Sequence, residues 1–270
     1  MAIKLIAADM DGTFLNDHSD YDRPRFQRLL TTMQAQKVRF VVASGNQYPH
    51  LPQYFTGLTG DITYLTEDGA HIVSNGQTIS EDVIPHTLLK AFLNWMSSQP
   101  LFKHAWVLFS GRQAAWTEIL PVAKRFKQSS YFYGNLTHVM DLAEVTDAIY
   151  KIDITWPAFD VSAQEALVNQ AFKGQLRATS SGLGGIDVIL PHVNKAYGLA
   201  KLQHQWQIDY SETLAFGDSG NDVEMLQKAR YGYVMKNAPE SVKQQVDLIT
   251  PLTNNDSGVL AVMEDFLKSR

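Results

Sequence analysis

Apolar and polar positions along this chain follow two periods, and the change from one to the other outlines its organisation. Residues 3–8 form an apolar run interrupted only by Lys4, the length of a buried strand. Residues 23–36 place Phe26, Leu29, Leu30 and Met33 on one helical face. Residues 39–43 (RFVVA) and 62–66 predict two more strands, ending at Ser44-Gly45-Asn46 and Glu67-Asp68-Gly69. From about residue 82 the pattern changes: strand-like runs such as HAWVLFS and AIYKIDITW mix with helical stretches at 88–97 and 163–172. After Pro191 the alternation returns, with a helix at 196–205, a strand at 213–217 and a helix at 223–229. Strands alternating with helices imply an α/β fold, a Rossmann-like doubly wound parallel sheet, with the middle stretch as an inserted α+β domain. The expected division is a discontinuous core of residues 1–83 and 189–270 around an insertion of residues 84–188.

Composition narrows the class. The chain has 270 residues, 45% hydrophobic and 19% charged, as in ordinary globular proteins. A net charge of −5 argues against nucleic acid as a partner. No stretch approaches the roughly 20 apolar residues of a membrane span, and acids at positions 9 and 11 interrupt any signal-peptide core. A cytoplasmic protein is the default expectation, and oligomeric state is not legible. The absence of cysteine excludes thiol nucleophiles and zinc–thiolate sites. The eight histidines show no ligand spacing, and neither a G-x-S-x-G elbow nor a G-K-[ST] phosphate loop occurs.

The chemistry concentrates where apolar strands end. Asp9 and Asp11 follow the first strand, Ser44 the second, and Asp218 and Asp222 follow the strand at 213–217. In open parallel sheets ligands bind beyond the carboxyl ends of strands, so these ends converge on one crevice. An aspartate is ionised at neutral pH and can attack a phosphate ester without a general base. A divalent cation between the two anions removes their repulsion. Asp11, two residues on, stands where it can protonate a leaving alkoxide and later activate water. Gly12 allows a sharp turn with backbone N–H groups facing phosphate, and Thr13 adds a hydroxyl. A calcium loop is excluded, because D-x-[DN]-x-[DN]-G needs glycine sixth and Gly12 is fourth. Two aspartates capping a turn are the plain structural alternative.

The second acidic cluster, FGDSGNDVEML, offers Asp218 as a ligand for a hard cation such as Mg2+. Asp222 suits three roles: orienting metal-bound water, holding a nearby lysine, or acting as a helix N-terminal acid. Asn221 suits an N-cap or a phosphate contact. Lys195 opens a helix, where the macrodipole disfavours a cation unless anions stand nearby. Ser44 and Gly45 can bind phosphate through hydroxyl and amide. In the middle region, residues 180–191 (SSGLGGIDVILP) suit a hinge or a turn, and Asp187 suits a sugar hydroxyl. The tryptophans there suit packing in a core.

DMDGT, VVASGN, Lys195 and GDSGND resemble, in order, the four motifs of the haloacid dehalogenase superfamily. The middle insertion is similar to the large C2-type cap of its Cof-type sugar phosphatases, and the resemblance spans essentially the whole chain. It implies a Mg2+-dependent phosphomonoester hydrolase acting on small phosphorylated metabolites, sugar phosphates in particular. Asp9 would be the nucleophile and Asp11 the general acid/base. Mg2+ would be held by Asp9, the Asp11 carbonyl and Asp218. Met10, Ser44, Gly45, Lys195 and Asn221 would contact phosphate, with Thr13 and Asp222 in support. A phosphomutase using the same aspartyl phosphate, or a non-catalytic phosphosugar-binding module, are the alternatives. The pattern departs at Glu67-Asp68-Gly69-Ala70, where many Cof-type relatives carry an asparagine–glycine pair.

Overall fold

Residues 2–157, 160–182 and 184–268 are described by a computed structural model of the chain. Leu183, inside the 180–191 stretch, lies outside the described residues. The chain divides into two compact units, Met1–Ser80 with Asn194–Arg270, and Glu81–Val193.

The first unit opens with β1 (Leu5–Ala8), α1 (Arg23–Ala35), β2 (Arg39–Ala43), β3 (Ile62–Thr66), β4 (His71–Ser74) and β5 (Gln77–Glu81). The second contains α2 (His86–Ser97), β6 (Trp106–Gly111), β7 (Ala115–Thr117), α3 (Lys124–Phe132) and β8 (Leu136–His138). It continues with β9 (Ile149–Thr155), α4 (Ser162–Ala171), β10 (Arg177–Gly182) and β11 (Gly185–Ile189). The chain then completes the first unit with α5 (Lys195–Trp206), β12 (Thr213–Gly217), α6 (Val223–Gln227), β13 (Tyr231–Val234), α7 (Glu240–Lys243), β14 (Leu248–Ile249) and α8 (Gly258–Lys268). The boundaries fall at the end of β5 and just before α5. The hydrophobic pattern placed them at 83/84 and 188/189.

The eight strands of the first unit run in the order β14-β13-β12-β1-β2-β3-β4-β5. The pairs from β14 to β3 are parallel, and β3 pairs with β4 antiparallel. From β1 the chain builds outwards through β2 and β3, then returns to build the other side from β12. The switch point of the sheet is therefore between β1 and β12.

Both faces of this sheet are covered, so its central strands are apolar without alternation. In β1, Ile6 and Ala8 join a core with Phe26, Leu30 and Met33 of α1 and Val259 and Met263 of α8. Leu5 and Ala7 face the opposite core, with Leu199 and Leu202 of α5 and Met225 and Leu226 of α6. Helix α1 starts because Asp22 accepts the Arg25 N–H at 3.0 Å and Pro24 occupies the first turn. Its predicted apolar face is the buried one, and Phe26 is fully enclosed. Truncating Phe26 to alanine costs about 3–5 kcal/mol.

The second unit carries a six-stranded sheet in the order β10-β11-β9-β6-β7-β8. Here alternation is visible. Ile152 and Ile154 of β9 and Ile186 and Val188 of β11 pack against Phe92 of α2 and Val168 of α4. Lys151, Asp153 and Asp187 occupy the intervening positions, on the other face. Trp95 and Trp156 pack in the core, each with its ring within 5.4 Å of Phe102, so burial accounts for them. No helix among the described residues is long and apolar enough to cross a membrane.

Candidate active site

The site is built at the sheet's switch point. Ala8 of β1 pairs with Phe216 of β12, and the Asp9 N–H donates to the Phe216 carbonyl at 3.0 Å. Asp9 is thus the first residue past β1, and Asp218 the first past β12. After Asp9 the chain makes one turn, closed by Phe14 N–H to the Asp9 carbonyl at 3.2 Å and Leu15 N–H to the Met10 carbonyl at 2.9 Å. Gly12 sits in this turn at φ +75°, and a Cβ there would stand 2.6 Å from Asp218 Oδ2. Only glycine satisfies both the conformation and the approach. Met10 buries its side chain in the core beside α1 and offers only its backbone as a polar group.

Lys195 reaches this point from the first residue of α5. The helix is started by Asn194, whose side chain accepts the Tyr197 N–H at 2.7 Å. Lys195 is 1% exposed, and its Nζ donates to Asp9 Oδ1 at 2.6 Å and to Asp222 Oδ1 at 2.7 Å. It is no solvated surface lysine. Asp222 is also fully engaged on its other oxygen, which accepts the N–H groups of Asp218 and Ser219 at 3.0 Å. It therefore combines two of its sequence-suggested roles, the lysine's partner and the acid at a helix start. Asp218 Oδ1 accepts from the Thr13 hydroxyl at 3.0 Å, which ties the β1 turn to β12.

Charge is out of balance here. Burial pushes the Asp9 carboxyl up, Asp222 and Asp218 push it further, and only Lys195 pulls it back. Burial and then Asp222 push Asp218 up to about 6, with Thr13 and Lys195 opposing. Burial alone would depress Lys195. The carboxylates of Asp222, Asp9 and Asp68 outweigh that and hold its ammonium above the ordinary range. Three acids, Asp9, Asp218 and Asp222, offer oxygens within 4.8 Å of one another, against one lysine. An all-oxygen donor set with excess negative charge fits a hard divalent cation. Both Asp222 oxygens are already bonded, whereas the bonds from Lys195 and Thr13 engage Oδ1 of Asp9 and of Asp218, so these two carboxylates suit such a cation better than Asp222.

Two further strand ends join the site. The β2 end carries Ser44, 2% exposed, whose Oγ accepts the Asn46 N–H at 3.0 Å. Asn46 Nδ2 donates to Asp11 Oδ2 at 2.9 Å, which links β2 to the β1 turn. The β3 end runs into Glu67 and Asp68, both at positive φ (51° and 56°). The Asp68 N–H donates to the Ser44 carbonyl at 3.2 Å, and its carboxylate packs on Gly45. Asp68 Oδ1 accepts from Asn221 Nδ2 at 3.0 Å, while Asn221 Oδ1 accepts from Ser219 Oγ at 2.6 Å. The ten residues given catalytic, metal, phosphate or supporting roles from the sequence therefore lie on four neighbouring elements of one unit, and Asp187, suggested for a sugar hydroxyl, lies in β11 of the other. Asn46 and the anchoring role of Asp68 were not singled out. Asn46 stood in view as the last residue of VVASGN, and only the unusual EDGA marked Asp68.

A family model for haloacid dehalogenase-like hydrolases matches residues 6–263. The chain belongs to this family. Among curated relatives, the hydrolase is 33% identical to the 5-amino-6-(5-phospho-D-ribitylamino)uracil phosphatase YbjI of Escherichia coli (strain K12), over 99% of this chain and 97% of that protein. It is 26% identical to the phosphatase of the same description, YcsE, from Bacillus subtilis (strain 168), over 95% and 93% of the two chains. The crystal structure of SMU.1108c from Streptococcus mutans UA159 superimposes with a TM-score of 0.90 at 33% identity, covering 99% of this chain and all of that one. The mixed sheet with its parallel centre and flanking helices is the haloacid dehalogenase fold, and the relatives are phosphatases. Asp9, Ser44, Lys195 and Asp218 stand at the ends of β1, at the end of β2, at the start of α5 and at the end of β12 of that fold.

Proposed function

We propose that the hydrolase is a Mg2+-dependent phosphomonoesterase for small phosphorylated metabolites, acting through an aspartyl phosphate on Asp9. The observation that carries this reading is the held carboxylate: Lys195 donates to Asp9 Oδ1 at 2.6 Å and fixes the carboxylate at the end of β1. One Asp9 oxygen attacks phosphorus, the bond from phosphorus to the ester oxygen breaks, and Asp11 gives its proton to the departing alkoxide. Asp11 then takes a proton from water as that water attacks phosphorus, and the Asp9–phosphate bond breaks to release inorganic phosphate. The backbone of Met10, the Ser44 hydroxyl, the Gly45 amide and the Asn221 amide hold the phosphate oxygens. Lys195 opposes the burial and the neighbouring acids that favour protonated Asp9, and Asp222 keeps Lys195 in place. Bound by Asp9 and Asp218, Mg2+ would supply the positive charge that lets a carboxylate approach a phosphate.

For the substrate, the likeness to two ribitylaminouracil phosphate phosphatases supports a phosphate on the primary hydroxyl of a sugar or sugar alcohol. Residues 84–188 are proposed as the cap that selects it. The test is a panel of phosphate monoesters with purified protein and Mg2+. A ribityl phosphate and hexose and pentose phosphates should release inorganic phosphate, and chelation should stop them. Conversion of a labelled monophosphate into an isomer without free phosphate would point instead to the mutase. Tight binding with no turnover would point to a binding module.

A further inference from the structure

Asn46 is half-buried at the end of β2, and its side chain touches the carboxyl of Asp11. Its own backbone is fixed twice, by its N–H to Ser44 Oγ at 3.0 Å and by the Glu67 N–H to its carbonyl at 3.2 Å. The side chain is therefore presented from a rigid strand end rather than from a free loop. At 2.9 Å from Asp11 Oδ2 the Asn46 amide offers its nitrogen, the partner that a carboxylate oxygen accepts from. A carboxyl oxygen that accepts from an N–H donor is a poor place for a proton. When Asp11 is protonated, the proton is consequently directed to Oδ1.

We propose that Asn46 is a positioning residue for proton transfer: it holds Asp11 by Oδ2 so that Oδ1 carries the proton given to the leaving group. This rests on the reading of Asp11 as general acid. In the step itself the Oδ1–H bond breaks, its proton joins the ester oxygen as the phosphorus–oxygen bond breaks, and Asp11 is left as the carboxylate. Asn46 changes no bond. Its contribution is the fixed orientation and a donor that stabilises the carboxylate as it forms.

The requirement for a proton depends on the alcohol that leaves, which gives a readout that general damage to the site does not share. An alkyl phosphate such as a sugar phosphate releases a basic alkoxide and needs the proton. A dinitrophenyl phosphate releases a stable anion and does not. The quantity to compare is kcat/KM, which covers steps up to departure of the alcohol. Asn46→Ala leaves the backbone bonds to Ser44 and Glu67 in place. It should lower kcat/KM for the alkyl ester by about tenfold or more, a part of the 10²–10⁴-fold that general acid catalysis contributes as a whole. For the dinitrophenyl ester it should change by less than about threefold, in the range of ordinary site perturbation. In an Asp11→Asn background, Asn46→Ala should add nothing further for the alkyl ester. Equal losses on both esters, or an additive loss in the double variant, would overturn the proposal. If Asp11→Asn itself lowers both esters equally, the acid role of Asp11 fails and the proposal falls with it. If Asp11→Asn is selective and Asn46→Ala is not, only the role of Asn46 fails.

Discussion

Each unit of this protein buries a lysine against carboxylates, and the two arrangements differ in charge. In the Glu81–Val193 unit, Lys151 of β9 meets Asp187 of β11 at 3.1 Å on a sheet face. The neighbouring Asp153 is satisfied by the hydroxyls of Tyr133 at 2.9 Å and Thr155 at 3.0 Å. In the other unit, Lys195 meets both Asp9 and Asp222, with Asp218 beside them, at the ends of β1 and β12. The first pair lies within regular strands, where a cross-strand bond holds two elements together. The second stands past the strands, where acids exceed the base and folding alone gives no return for the repulsion. Carboxylates that each have a partner inside a sheet read as structure, and three acids crowded on one lysine at strand ends read as chemistry.

Removing each lysine separates these cases. Lys195→Met leaves Asp9 and Asp222 buried without their cation. It should cost about 3–5 kcal/mol in cation-free protein and eliminate phosphate release, measured by denaturant unfolding and by turnover. Next in size is the cation itself. Asp218 has its pKa raised from 3.8 to about 6 in the folded protein, so the native state binds more protons than the unfolded state between those values. Cation-free stability should therefore fall as pH rises from 4 to above 6, by at most about 3 kcal/mol for this group. Mg2+ should raise the melting temperature strongly at pH 7 and little at pH 4.5, because only the ionised carboxylates bind it. A difference in cation-free melting temperature between wild type and Asp218→Asn that stays constant from pH 4 to 7 would contradict the unbalanced cluster.

On the matched side the effects shrink. Replacing the pair together, as Lys151→Met with Asp187→Leu, should change unfolding free energy by about 1 kcal/mol or less, since a buried pair exchanged for apolar groups is often neutral. Either single replacement should cost more than the double. Smallest of all is the surface pair of Arg25 and Glu264, which joins α1 to α8 at 2.8 Å. The Arg25 hydrogen bond holds the Glu264 carboxyl below its usual range. Its contribution is present above the unfolded value and disappears as pH falls through the folded one. Glu264→Gln should cost about 0.2–1 kcal/mol near neutral pH.

Much of the fold was legible because the core sheet is covered on both faces. Runs such as LIAA and RFVVA have no polar interruption, so each strand and its end were visible in one dimension. The strands β4 and β5 were not visible: β4 is only four residues long, and the exposed positions of β5 dilute its apolar signal. The candidate residues were legible for a related reason: a polar residue directly after an apolar strand is an unusual place to put a charge. What joins them was not. The contacts of Asn46 with Asp11, and of Asn221 with Asp68, cross between strand ends far apart in sequence, and no local pattern encodes them. Nor does propensity foresee Glu67 and Asp68 at positive φ, a region that residues other than glycine rarely adopt.

The central claim is that Asp9 carries the phosphoryl group. The direct test is to mix the protein with excess phosphate ester and Mg2+, quench within a turnover, and map the modified residue by mass. The account predicts one phosphoryl group on Asp9 in the wild type, none in Asp9→Asn, and no phosphate release from that variant. A wild type that releases phosphate without ever carrying the group, or an Asp9→Asn protein that still turns over, would contradict it.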